Sequence, residues 1–356
     1  MAELEVVVAV MYPAHWDPPA DQLAGYLRDV TAVSPRIRIV SERYAEPGEL
    51  RQQRGQNPSA DLRGLAPELT SRQREVLAEA EVVLTQDLPF DVVHLAPRLR
   101  WVQGVGAGVS QLISAGLPTS HVRLTTAAGV NAVAIAEFVL ARILQIAKRF
   151  PEIDRLQVSR VWQPSYGSQL AGRHLTVIGL GAIGRRVARL GRAFGMTVTG
   201  VRRGAVAGDV DPDADSLLGP FDLFAAVGAA DYVVAAVPET PENRDMFDSK
   251  FFAAMPAGAV FVNVGRGSAV VEDDLVAALS KHLRAAALDV VRQEPLPTDS
   301  PLWAVPNLLI SPHSAAAPDE HWINVFALFA DNLRRYLYGE PLLNEWTANR
   351  NLADGR

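Results

Sequence analysis

At 356 residues, nearly half of them apolar and about a fifth charged, the chain exceeds one ordinary core, so two globular domains are expected. A formal net charge of −6 argues against a nucleic-acid partner, which needs a basic stripe. The absence of cysteine excludes disulfides, cysteine-ligated zinc and thiol catalysis. No apolar run approaches the roughly 18 residues of a membrane helix, and no basic, cleavable leader precedes the first strand. The expectation is therefore a cytoplasmic protein without a membrane partner.

In chain order, short apolar runs alternate with helix-period stretches, the pattern of βα units around a parallel sheet. The first cycle is a strand at 6–10 and a helix at 20–30. Strands follow at 36–40, 81–85, 99–102 and 122–126. Between 41 and 70 the chain is polar and rich in Arg and Gln, with Pro47, Pro58 and Pro67. It reads as a solvated surface loop, with a functional lid as the alternative. Gln103-Gly104-Val105-Gly106-Ala107-Gly108 follows the fourth strand, and such a loop either presents backbone N–H groups to a carboxylate or is a plain turn. Trp101 beside it is assigned to the core, with the lining of a cleft as the alternative.

Asn131 is placed as the N-cap of a long apolar helix running to about 150 and stopped by Pro151. A helix so apolar needs cover on several sides, as at a domain or subunit interface. Residues 157–172, with Trp162, Pro164 and Tyr166, read as an arm or linker. Strands then recur at 175–178, 197–201, 232–237, 260–264, 285–288 and 308–310, enough for a doubly wound domain. A last amphipathic helix at 322–338 is expected to pack back on the first domain. The fold class is α/β, with two doubly wound parallel-sheet domains. Residues 1–125 and 315–356 form the discontinuous substrate domain, and 126–314 the dinucleotide-binding domain.

The first chemical signal is Gly179-Leu180-Gly181-Ala182-Ile183-Gly184 at a strand-to-helix junction. Here Gly179 permits the tight turn, Gly181 lets backbone N–H groups approach a pyrophosphate, and Gly184 lets helix and strand pack closely. The bland alternative is a structural turn. In NAD-specific sites an acidic residue ends the second strand and bonds the ribose 2′-OH; here that position is Arg202, followed by Arg203. Arginine there pairs with the 2′-phosphate of NADP. A charged hydrogen bond contributes about 1.5–3 kcal/mol, so a roughly ten- to hundredfold preference for NADP(H) is expected, with NAD(H) still possible. Solvated arginines and an indifferent site are the alternative. Asp211-Pro212-Asp213-Ala214-Asp215 mimics a calcium loop, but Ser216 stands where the turn glycine belongs and no glutamate closes it. It reads as a solvated acidic turn.

Three ionisable residues follow in order. Arg266, in Asn263-Val264-Gly265-Arg266-Gly267, sits at a strand end, where open α/β sheets place ligands. Its guanidinium suits a carboxylate clamp. His313 follows the last strand and suits proton transfer near neutral pH. Glu294, beside Pro295, is within reach to favour the imidazolium and keep the acid loaded. With a dinucleotide, these are the parts needed to reduce a 2-keto acid, which would enter between the domains. The remaining histidines, His15, His94, His121, His174, His282 and His321, read as surface or satisfied structural residues.

Together the fingerprint, the Asn263–Gly267 motif, Leu288-Asp289-Val290 with Glu294-Pro295-Leu296-Pro297, and Ser311-Pro312-His313 resemble the D-2-hydroxyacid dehydrogenase family over essentially the whole chain. The resemblance implies a Rossmann nucleotide domain and a flavodoxin-like substrate domain, a homodimer through the nucleotide domain, and the catalytic roles of Arg266, Glu294 and His313. It places Asp289 near the nicotinamide, Val237, Pro238, Val264 and Gly265 along the cofactor, and Ala107 and Gly108 at the substrate carboxylate. Arginine after the second strand resembles the NADPH-using glyoxylate and hydroxypyruvate reductases. Departures are Ser110-Gln111, Glu239 and Val291-Arg292, where Asp-Asn, leucine and an aromatic-acidic pair are usual. They leave substrate size open. The alternative activity class is a dinucleotide-sensing regulatory protein on the same scaffold.

Overall fold

The computed structural model describes residues 5–12, 19–57, 60–206 and 208–347; His15 lies outside them. The chain divides into two compact units, one reaching Val130 and resuming at Pro318, the other spanning Asn131–Ala317. The boundaries expected from sequence, after 125 and before 315, fall a few residues short of these junctions.

In the first unit five parallel strands pair in the order β2-β1-β3-β4-β5. They are β1 Val6–Tyr12, β2 Ile37–Arg43, β3 Val82–Thr85, β4 Trp101–Gly104 and β5 Arg123–Thr125. This is the flavodoxin-like order. Strand β3 is buried throughout and β1 nearly so, the near-continuous apolar runs of a sheet covered on both faces. Helix Pro318–Tyr338 returns to this unit, burying Val325, Phe326, Phe329 and Leu333 beside Val8, Val10 and Trp101. Trp101 is a core residue: it is fully buried, stacks on Tyr336 and donates its indole N–H to Thr125 at 2.8 Å.

The 41–70 segment corrects the surface-loop expectation. Strand β2 continues to Arg43, and helix Gly48–Gln56 follows with Leu50 and Arg54 buried. Arg54 pairs with buried Glu46, donates to the Leu88 carbonyl at 2.9 Å and Ser114 Oγ at 3.1 Å, and lies over the Phe90 ring. Arg51 clamps Asp87 with two bonds of 2.7 and 2.6 Å, and Asp87 accepts the Glu46 N–H. The polar composition of this segment thus serves a buried ion cluster, which periodicity of apolar residues does not reveal.

The second unit holds seven parallel strands in the order β12-β11-β10-β9-β6-β7-β8. They are β6 His174–Ile178, β7 Thr197–Val201, β8 Ser216–Leu218, β9 Tyr232–Ala235, β10 Val260–Asn263, β11 Ala285–Leu288 and β12 Leu308–Ile310. The order reverses between β6 and β9, the switch point where doubly wound sheets bind dinucleotides. Strand β8 was not expected; it is a three-residue edge strand with only Leu217 buried, too short for a period-2 signal.

Helix Ala132–Ala147 ends earlier than expected, and Pro151 does not stop it. Arg149, in a left-handed conformation, breaks the chain direction, and Pro151 sits in the first turn of a new helix, Phe150–Val158. Proline is tolerated there because its missing N–H has no intrahelical partner to lose. Asn131 precedes the apolar helix without a side-chain capping bond. Beyond Val158 the chain runs to Leu170 without regular structure, exposing Trp162 and Tyr166. Among the described residues no helix is long and apolar enough to cross a membrane.

Candidate active site

The fingerprint turn joins β6 to helix Ala182–Ala193. Gly179 adopts φ +97°, and a Cβ there would stand 2.7 Å from the Ala236 carbonyl oxygen. Gly184 lies so close beneath the turn that a Cβ would meet the Gly179 oxygen at 2.0 Å. Leu180 is buried, while Ile183 packs partly exposed on the same core. At Gly181 an added Cβ meets no heavy atom within 4 Å, and no side chain caps the helix start. Open space over a helix N-terminus at the switch point fits a pyrophosphate, whose charge the N–H groups of Ala182 and its neighbours and the helix dipole favour.

Strand β7 delivers Arg202 and Arg203 beside this turn. Arg202 is 3.6 Å from Asp211, whose side chain is 1% exposed. The 211–215 segment is therefore no solvated turn. Asp211 accepts from Arg185 at 2.7 Å, Asp213 from Arg189 at 3.0 Å, and Asp215 pairs with Arg192 at 3.3 Å. Three acids of this turn meet arginines spaced by four and three on one face of the fingerprint helix. Arginines and acids lie more than fifteen residues apart in sequence, which hides the pairing from a local reading.

Opposite, at the ends of β10, β11 and β12, the three ionisable residues come together. Asn263 accepts the Gly265 N–H at 3.0 Å and donates to the Arg266 carbonyl at 3.0 Å, fixing the turn that carries Arg266. Gly265 packs against the Val237 backbone, and Pro238 follows with its carbonyl accepting from Asn243 at 2.9 Å. Val264 is buried beneath. Gly267 abuts the Val291 backbone, where a Cβ would meet the carbonyl at 2.0 Å. The Val291 N–H in turn donates to Glu294 Oε1 at 3.1 Å. The arginine turn and the glutamate loop are thus registered through backbone.

His313 Nδ1–H donates to Glu294 Oε2 at 2.8 Å. This bond raises the imidazole pKa above its ordinary value, against burial and the Arg266 guanidinium, which pull it down. Burial lifts the Glu294 carboxyl, but its bonds to His313 and Val291 outweigh that, and its pKa lies below the usual carboxylate value. His313 sits at φ +52°, held there by its N–H to the Asp289 carbonyl at 2.8 Å. The Asp289 carboxylate accepts from Ser311 Oγ at 2.7 Å and from the Ser314 and Ala315 N–H groups at 3.0 and 3.1 Å. Asn263, Ser311 and the clamping function of Asp289 were not read from sequence, although all three lie inside the motifs quoted there.

Two of the other described histidines fit structural positions: His174 bonds Thr199 at 2.9 Å, and His282 bonds the Phe252 carbonyl at 3.0 Å. Ala107 and Gly108 are exposed in the turn after β4, in the first unit.

The model of the D-isomer specific 2-hydroxyacid dehydrogenase NAD-binding domain matches residues 140–315. A glyoxylate/hydroxypyruvate reductase B of Citrobacter koseri is 32% identical over 289 residues, 78% of this chain and 87% of the relative. The chain belongs to the D-2-hydroxyacid dehydrogenase family. Two solved members agree in fold. A family protein from Aeromonas salmonicida aligns with TM-score 0.76 at 30% identity, over 96% of this chain and 99% of its own. One from Xanthobacter autotrophicus Py2, solved with NADPH and MES, aligns with TM-score 0.74 at 27% identity, over 98% of this chain and 99% of its own. This D-2-hydroxyacid dehydrogenase is thus an oxidoreductase with two α/β units.

Proposed function

We propose that the protein reduces a small 2-keto acid of the glyoxylate or hydroxypyruvate kind to the D-2-hydroxy acid, preferring NADPH to NADH. The observation that carries this reading is the 2.8 Å His313–Glu294 bond at the strand ends that also present Arg266. Bound cofactor supplies the hydride in reduction and takes it up in oxidation. Arg266 pairs with the substrate carboxylate and orients the ketone. With Nδ1 committed to Glu294, His313 Nε2 faces the carbonyl oxygen, donating a proton in reduction and accepting one in oxidation. Glu294 stabilises the imidazolium and so keeps the acid charged. The family resemblance supports Ala107 and Gly108 as backbone donors to the carboxylate, Val237, Pro238, Val264 and Gly265 as residues along the cofactor, and Asp289 as a residue near the nicotinamide.

Two arginines directly after β7, with no carboxylate in sequence before Asp209, support the cofactor preference. Following NADPH and NADH oxidation with glyoxylate, hydroxypyruvate, pyruvate and bulkier keto acids tests the reading. The expected kcat/KM is roughly ten- to hundredfold higher with NADPH, and highest for the two smallest polar substrates. A clear NADH preference would remove the cofactor assignment. Tight NADPH binding without turnover on any keto acid would instead favour a sensor.

The same reading includes a homodimer. Val158, Trp162 and Tyr166 stand exposed on the second unit, a cost that a second copy would offset by burial. Sedimentation equilibrium should return twice the chain mass; a single-chain mass at micromolar concentration would contradict it.

A further inference from the structure

The two arginines after β7 are not equivalent. Arg202 spends its charge on Asp211, a carboxylate that also accepts from Arg185 and from the Asp213 N–H at 3.1 Å. Arg203 is half-buried and makes no hydrogen bond or ion pair among the described residues. Its guanidinium lowers the Glu242 carboxyl pKa only after the backbone and Thr240 bonds that hold it down first. A phosphate arriving at Arg202 therefore meets a buried carboxylate just behind the guanidinium, whereas one arriving at Arg203 does not.

We infer that Asp211 is a specificity-setting positioning residue: its carboxylate neutralises Arg202 and weakens 2′-phosphate recognition, leaving Arg203 as the decisive contact. The inference rests on the NADPH reading above. It goes beyond it by assigning the discrimination to one arginine and its moderation to an acid that no dinucleotide fingerprint includes. The three-rung pairing of Asp211, Asp213 and Asp215 with Arg185, Arg189 and Arg192 explains why Asp211 cannot swing away: its segment is fastened along the fingerprint helix. A fixed negative charge near a bound dianion is poorly screened when buried, and its removal is worth about a fivefold to tenfold change in affinity.

The test is calorimetric titration of the full chain with 2′,5′-ADP and with 5′-AMP, which needs no turnover. Asp211→Asn keeps the acceptor oxygen for Arg185 and Asp213 but loses the charge. It should bind 2′,5′-ADP about five- to tenfold more tightly, with 5′-AMP unchanged. Arg203→Ala should lose at least about tenfold for 2′,5′-ADP, and Arg202→Ala less than about threefold. Unchanged or weaker 2′,5′-ADP binding by Asp211→Asn would overturn the inference, and so would equal losses at the two arginines. Should Asp211→Asn fail to fold, the arginine pair alone decides. Wild-type protein without preference for 2′,5′-ADP over 5′-AMP would instead overturn the NADPH reading, and the inference with it.

Discussion

His313→Asn is expected to lose about 10²–10⁴ in kcat for keto-acid reduction while retaining its fold. The side chain proposed to donate the proton is removed, but the turn that holds it is not. The His313 N–H to the Asp289 carbonyl and the Asp289 carboxylate bonds to Ser311, Ser314 and Ala315 are independent of the imidazole. Asparagine also tolerates the φ of +52° that this position imposes, unlike β-branched or bulky residues. Affinity for 2′,5′-ADP should be unaltered, which separates lost chemistry from lost structure. A near-normal kcat in the variant would leave proton transfer to another group and remove His313 from the mechanism.

Arg54→Met should destabilise the protein by about 3–5 kcal/mol, measured as a fall in the urea midpoint at unchanged slope. Both Arg54 and Glu46 have side chains with no solvent exposure. Burial already raises the Glu46 pKa, with Arg54 the main opposing influence. Without the guanidinium the carboxylate stands desolvated with no paired cation and keeps only the Tyr44 hydroxyl, at 3.2 Å, as a side-chain donor, and the Leu88 carbonyl and Ser114 hydroxyl lose theirs. Glu46 Oε2 and Arg54 Nη2 have no partner even in the intact pair, so the cluster is not fully satisfied. The double change Arg54→Met with Glu46→Leu should therefore recover most of the loss, because an apolar pair costs no desolvation. A single-variant loss below about 1 kcal/mol would show that water reaches this cluster.

How much of this was legible in sequence depended on where the physical signal lay. Buried parallel strands announce themselves as apolar runs, and eleven of the strand positions follow from that pattern; β8, three residues at a sheet edge, does not carry it. The fingerprint and the three ionisable residues were legible because glycine and charge at strand ends have few structural uses. What stayed hidden was ion pairing at a distance. Arg54 with Glu46, and Asp211 to Asp215 with the fingerprint helix, look like solvated polar stretches until the partner is known. Pro151 misled for a related reason: proline marks both the end of one helix and the first turn of the next. Asn263 and Ser311 sat inside motifs already singled out, but their roles are hydrogen bonds to backbone, which residue type alone does not specify.

The pairing of His313 with Glu294 is the centre of the account, and the pH dependence of kcat/KM for reduction tests it most directly. An imidazole whose pKa is raised stays protonated to higher pH than a free one, so wild-type activity should fall only above the ordinary histidine range. In Glu294→Gln the anion that favours the imidazolium is gone, and the falling limb should move to lower pH. A limb that stays in place, or moves to higher pH, would contradict the assignment of His313 as the acid and Glu294 as its counter-charge.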